Sequence, residues 1–439
     1  MISTYGEDIS ISQDELRDLV FQTLEASGTA HLRRCAEPRS SAGRRVLLLP
    51  PDHTRLNSMA GPITAMVYEK LTADGVEVDI LPTLGTHNPM TDAQLRMMFG
   101  EQIPLDAFKV HDWRNEVVRK GEISGDMLAE LSDGKVNYTV GVEVNRMLFD
   151  GYDLILSIGQ VVPHEVVGMA NYTKNIVVGA GGSDIINKSH FLGAVAGIEN
   201  ILGQTDSPVR RLFNHAVATY LADLPITYIL TVMEQDYDSG EMHMRGFFAG
   251  EDVTVFEEAC KLARAVNITL LDREPKKVVV YLDPHEFQST WLGNKSVYRT
   301  RMAIADDGEL IVLAPALKEF GEDPTIDKLI RKFGYCGTPA TLKHVEEDEE
   351  LRSNLGAAAH LIHGSSEGRF AITYCPGREV TLDEVRSVGF KAAAYDEMAA
   401  RYDPAVLKDG WNILPDGEEI FYISNPALGL WAFKDKFKE

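Results

Sequence analysis

The stretch Val46-Leu47-Leu48-Leu49-Pro50-Pro51-Asp52-His53-Thr54-Arg55 decides how this chain folds. Four consecutive apolar residues read as a strand covered on both faces, the pattern of a parallel sheet. Two prolines end it, because they donate no N–H to a ladder and fix the exit of the chain. The polar residues that follow are an aspartate, a histidine and an arginine. Open α/β sheets bind ligands beyond the carboxyl ends of their strands. One short stretch therefore supplies both a strand and a candidate site.

Similar apolar runs recur at Val76 to Leu81, Leu154 to Ile158, Ile176 to Val178 and Tyr228 to Val232, and each reads as a buried strand. Helical patterns fall at Gln13 to Ala26, Ile63 to Ala73, Thr91 to Phe99 and Val253 to Asn267. This alternation predicts an α/β domain with a largely parallel sheet. The charged, proline-bearing stretch Asp272-Arg273-Glu274-Pro275-Lys276-Lys277 reads as a boundary. Beyond it the pattern restarts, with strands at Val278 to Leu282, Leu310 to Leu313 and Ala371 to Tyr374, and helices at Ser296 to Ala305 and Ala392 to Met398. The expected architecture is two α/β domains, residues 1–272 and 273–417, with the active site in a cleft between them. The tail, residues 418–439, is expected to return to the first domain.

With 439 residues the chain exceeds one ordinary core. Its formal net charge of -23 disfavours nucleic acid and anionic membranes as partners, because phosphates would be repelled. Cys35, Cys260, Cys336 and Cys375 are widely spaced and form no CxxC pair, which argues against a zinc ribbon or a disulfide framework. The acidic N-terminus lacks the apolar region of a signal peptide, and no apolar run reaches membrane-spanning length. The expected compartment is the cytoplasm.

Three strands are expected to deliver polar residues to one edge: Asp52, His53 and Arg55 after the first, His87 after the second, His164 after Leu154 to Ile158. Lys174 and His190 follow, the latter expected near a helix start. Histidine combines proton transfer with metal ligation near neutral pH. A lysine among histidines adds a covalent or phosphate anchor. Each piece alone has a plain structural reading, as a strand-end turn or an exposed side chain. Gly179-Ala180-Gly181-Gly182 has the composition of a phosphate cradle without the GxGxxG fingerprint. In the second half, Gln288, Asn294, Lys295 and Arg299 beside Trp291 and Tyr298 offer polar groups for a polyhydroxy acid or a phosphate. His31, His111, His215, His243, His285, His344, His360 and His363 read as structural or surface residues.

Taken in order, Asp52-His53-Thr54-Arg55, Leu84-Gly85-Thr86-His87, Pro163-His164, Lys174 and His190 resemble the nickel-dependent lactate racemase family of 2-hydroxyacid racemases and epimerases. Gly246-Phe247-Phe248-Ala249-Gly250-Glu251 is similar to the family's FAGD stretch. The resemblance implies a nickel-pincer nucleotide, a pyridinium thioamide–thiocarboxylic acid mononucleotide carrying nickel. Lys174 would tether it, His190 would ligate the metal, and Asp52 and Arg55 would contact cofactor and substrate. His87 and His164 would be the acid/base pair. Gln288 and Lys295 resemble the second-domain residues that hold substrate or cofactor. Cofactor-synthesis and nickel-insertion proteins are implied partners. The family often has glycines and an arginine before the lysine, where this chain has Asn171-Tyr172-Thr173. The long segment around Gln288 to Lys295 resembles the branch assigned to sugar acids such as mannonate.

The expected activity is C2 inversion of a sugar acid such as gluconate or mannonate by hydride transfer. The alternatives are a short 2-hydroxyacid such as lactate or malate, a zinc metallohydrolase built on His53, His87 and His164, and a non-catalytic nucleotide-binding protein holding phosphate near Gly181.

Overall fold

A computed structural model describes residues 1–34, 44–236, 241–427 and 429–437. Cys35 lies outside the described residues. Two compact units are formed, one of Met1–Ser189 with Ile201–Asn267, the other of His190–Asn200 with Ile268–Glu439.

The strands of the first unit are β1 (Ile2–Tyr5), β2 (Arg45–Leu49), β3 (Glu77–Ile80), β4 (Val117–Ile123), β5 (Val140–Asn145), β6 (Leu154–Gln160), β7 (Pro163–His164), β8 (Gly168–Met169), β9 (Ile226–Gln235) and β10 (Met242–Gly250). Six of them make one sheet in the order β1-β10-β9-β6-β2-β3. From β9 to β3 all neighbours are parallel, with Leu48 opposite both Ile80 and Leu156, and Ile158 opposite Ile229. The antiparallel β10 and β1 complete one edge. The apolar runs are buried throughout; Leu47, Leu48, Leu49, Ile155 and Leu156 are fully covered. Helices Gln13–Arg34 and Ala60–Ala73 pack Leu16, Val20, Ile63 and Val67 against Leu48, Leu156 and Ile158.

The chain leaves β2 to one side to form β3, and β6 later pairs on the other side of β2. That reversal makes β2/β6 the topological switch point, where α/β sheets open a crevice. Isolated bridging extends this edge: Pro51 pairs with Thr83, so the loops after β2 and β3 run side by side.

One expected strand is corrected. Ile176 to Val178 form no strand; they lie in a π-turn, Asn175–Gly179, that follows Lys174 directly. Three β-branched residues are too short a run to separate a strand from a buried helical turn.

The second unit has β11 (Thr269–Leu271), β12 (Lys277–Tyr281), β13 (Glu309–Ala314), β14 (Ala371–Pro376), β15 (Lys391–Ala392), β16 (Gly410–Ile413), β17 (Glu419–Ile423) and β18 (Trp431–Phe433). Its main sheet runs β15-β14-β13-β12-β17-β16, parallel except for β16. The tail is corrected too: β17 lies beside β12 and β18 pairs with β11, so residues 418–439 belong to this unit. The expectation overlooked that Ile420 to Ile423 are buried between two ladders of their own sheet. Among the described residues no helix is long and apolar enough to cross a membrane.

A candidate active site at the switch point of the N-terminal sheet

Asp52 follows β2 and caps the short helical turn His53–Ser58. One carboxylate oxygen accepts from the Thr54 N–H at 3.1 Å and the Thr54 hydroxyl at 2.5 Å. The other meets His87 Nδ1 at 2.6 Å. Gly85 makes this meeting possible: it turns with φ +57°, a conformation glycine adopts without strain, while its N–H bonds Gly179 O at 2.9 Å. Burial opposes ionisation of Asp52, but the hydrogen bonds from His87 and Thr54 outweigh it and hold the carboxyl below its ordinary value. An ionised carboxylate on Nδ1 leaves the lone pair of His87 on Nε2, facing outward on a ring that is 58% exposed. That is the arrangement of a general base with its orienting acid.

His53 is oriented by the next helix. Thr91 and Gln94 form a capping box at the start of Asp92–Phe99, and the Gln94 amide bonds His53 Nε2 at 3.0 Å. The ring proton then sits on Nδ1, a buried atom with no protein partner among the described residues. His164 ends β7, where the N–H of Val166 donates to its Nδ1 at 3.1 Å, so its Nε2 carries the proton. His87 thus presents a lone pair at Nε2, whereas the accepting nitrogen of His164 is taken by Val166.

Lys174 precedes the π-turn, whose closing bond runs from Ala180 N–H to Asn175 O at 3.1 Å. Such turns recur at functional sites. Lys174 is only partly exposed. Desolvation of its ammonium, with the positive charges of Arg55 and Arg210 and against the negative charges of Glu165 and Asp52, pushes it down to about 8. The same interactions show that the loops after β2 and β6 converge on this lysine.

Two residues that sequence reasoning missed hold the lysine in place. Asn175 donates to Leu49 O at 3.0 Å and to the Ser157 hydroxyl at 2.9 Å, and Thr83 bonds its side-chain oxygen at 2.8 Å. It ties the ends of β2, β6 and the segment after β3 into one knot beneath the site. Its position directly after a candidate lysine, inside an apolar run, was the available signal. Arg210, on helix Pro208–Tyr220, is 2% exposed and bonds Thr173 Oγ1 at 2.8 Å and Met169 O at 2.6 Å. Nothing in its sequence context marked it.

Other expectations are corrected. His190 lies well inside helix Ser183–Ala196, not near its start, because that helix begins straight after Gly181-Gly182. The glycine run is no open phosphate cradle. The N–H groups of Gly181 and Gly182 bond Val178 O and Glu143 O, and a Cβ on Gly181 would stand 1.9 Å from Val177 O. The glycines serve close packing.

In the second unit, the segment after β12 sits at that sheet's own switch point, between β13 and β17. Gln288 is exposed, its amide 3.3 Å from Pro284 O. Lys295 lies 3.8 Å from Glu286 and above the Phe287 ring. Asn294 and Tyr298 do not join them as ligand groups. Asn294 is fully buried and accepts from the Tyr374 hydroxyl at 2.7 Å, while Tyr298 is buried against His360. Both side chains are turned into the core, where the Asn294 amide nitrogen finds no partner among the described residues.

Residues 7–200 match the lactate racemase N-terminal domain family. Among solved structures, a Thermotoga maritima protein from a structural genomics effort aligns over 98% of this chain and 100% of its own, at 21% identity and a TM-score of 0.78. The lactate racemase apoprotein of Thermoanaerobacterium thermosaccharolyticum aligns over 96% of this chain and 93% of its own, at 16% identity and a TM-score of 0.68. At these identities the likeness is one of fold. No curated protein matches the chain.

The donor set fits the cofactor that the family implies. It offers an amine poised for covalent capture, a buried imidazole N–H without a partner, and a cationic Arg55 beside them. Among the described residues no group of three or more His, Cys, Asp or Glu is placed to hold a metal. The zinc hydrolase alternative, which needs His53, His87 and His164 around one ion, has no such cluster to rest on.

Proposed function

We propose that the protein is a 2-hydroxyacid epimerase, acting on a sugar acid such as gluconate or mannonate through a nickel-pincer nucleotide tethered at Lys174. The observation that carries this reading is the oriented Asp52–His87 pair beside an amine pushed down to about 8. The C2 proton of a 2-hydroxycarboxylate is barely acidic, because the neighbouring carboxylate is already negative. Loss of hydride gives a stable 2-keto acid instead. When bound, the cofactor would supply hydride-accepting and hydride-donating chemistry.

The chain's own residues do the rest. His87 Nε2 takes the hydroxyl proton, and Asp52 holds the ring in the tautomer that permits it. His164 is the second histidine of the pair: as imidazolium it would give a proton to the oxygen on the other side, and as neutral imidazole it would take one, and in both states Nδ1 carries a proton and gives up its bond from Val166. Arg55 faces the substrate carboxylate. Lys174 would anchor the cofactor and His190 would ligate its metal. Gln288 and Lys295, exposed or partly exposed polar groups on the second unit, suit a hydroxylated substrate.

The test is NMR of D-gluconate with protein made alongside cofactor-synthesis and nickel-insertion proteins, with Lys174→Ala as control. Mannonate formed only by the intact lysine supports the whole reading. A Lys174 adduct with nickel but no turnover of gluconate would discard the sugar acid and direct attention to lactate and malate.

A further inference from the structure

Arg210 is a buried guanidinium with no carboxylate within ion-pairing distance among the described residues. A charge this deep is ordinarily paired. Here its partners are neutral: the Thr173 hydroxyl, the Met169 carbonyl and the face of Phe256, whose centroid is 4.3 Å away. Its Nε has no partner among the described residues. Desolvation pushes the group itself down to about 10, still charged at neutral pH. The fold therefore bears the cost of an unneutralised cation at one place.

That place is the turn that presents Lys174. Between the two atoms that Arg210 grips, Asn171 and Tyr172 stand at φ +68° and +58°. Two consecutive left-handed residues without glycine are strained and persist only where the surroundings impose them. Tyr172 is wedged between Tyr228 and Phe256, at 4.4 and 5.1 Å between centroids. Thr173 passes the hold onward to Asn214 at 2.7 Å. The next residue is Lys174.

We infer that Arg210 is a positioning residue for Lys174, stapling the strained Met169–Thr173 turn and placing positive charge beneath the amine, so that Lys174 meets an electrophilic thiocarboxylic acid as a neutral nucleophile. This rests on the tethering role proposed above. The step is balanced: Nζ forms a bond to the thioacid carbon, the C–O bond breaks, and water leaves with one amine hydrogen and the thioacid hydrogen. No oxidant or reductant is needed. A carboxylate partner for Arg210 would cancel the charge that the amine feels, which accounts for its absence.

The test uses the cofactor-free full chain. Competitive acetylation across pH, read by mass spectrometry of the Lys174 peptide against exposed Lys343, gives the midpoint of the amine directly. Arg210→Gln keeps a polar side chain but removes the charge. It is expected to raise the midpoint by roughly half a pH unit, a ~threefold drop in reactive amine at neutral pH. Arg210→Lys keeps the charge and is expected to leave the midpoint in place while slowing adduct formation, since the two-pronged grip is lost. If Arg210→Gln titrates as the native chain does, the inference is overturned. Should that variant not fold, Arg210→Lys decides: a midpoint rising to that of Lys343 overturns it equally. If the native chain never acquires an adduct, the tether reading fails, and the titration still judges Arg210 separately.

Discussion

Two histidines, His87 in the first unit and His360 in the second, show how differently one side chain is used. His360 is 5% exposed and both ring nitrogens are occupied, by the Tyr298 and Tyr335 hydroxyls at 2.9 Å each. Burial, helped by neighbouring His363, pushes it down to about 3, so it stays neutral at every ordinary pH. Trp291 covers one face. His87 has one nitrogen fixed by an ionised carboxylate and the other turned outward. The first is a spacer in a polar core, the second the proposed proton acceptor. Burial alone would have ranked them the wrong way round. What separates them is whether hydrogen-bonding capacity is left over.

The sharpest way to break this contrast is at the covalent anchor. Lys174→Ala is expected to remove the cofactor adduct and all turnover, seen by intact mass and NMR, with the fold intact by circular dichroism. Next, His87→Ala should lower kcat by about 10²- to 10⁴-fold, the usual contribution of a positioned base. Asp52→Asn should lose about 10- to 100-fold, because the ring keeps its place but loses its preferred tautomer. A pH series sharpens the picture of Lys174. Below about 8 the amine is protonated and inert, so adduct formation should rise through that value and level off, whereas an ordinary lysine would still be rising near ~10.4. Smallest on activity is Asn294→Ala. It strands the Tyr374 hydroxyl in the core and should cost about 1–3 kcal/mol of stability in thermal melts, yet leave KM unchanged. A raised KM there, with unchanged stability, would reverse the assignment of Asn294 to the core.

The parallel strands were legible because each is a short, uninterrupted apolar run, and the site followed from what comes after those runs. Asp52 and His87 could be brought together on that logic alone. His190 could not be placed within its helix, since glycines that pack closely and glycines that end an element look alike in a sequence. Asn294 was read as a ligand group because polarity in a chain does not reveal which way a side chain turns. Arg210 was silent for a deeper reason: its meaning depends on the absence of a partner, and absence leaves no mark on neighbouring residues. Asn175 joins three segments far apart in sequence, a knot visible only after folding.

The π-turn after Lys174 carries one residue more than an α-turn would between the same two ends. Each residue of a helix rotates the next side chain by ~100°. Removing Val177 would let the turn relax to ordinary geometry and swing the anchor away from the crevice, although no residue of the site had been altered. The reach of Lys174 is thus written as a count, and a chain that keeps every candidate site residue but shortens this segment by one is expected to lose the proposed anchor.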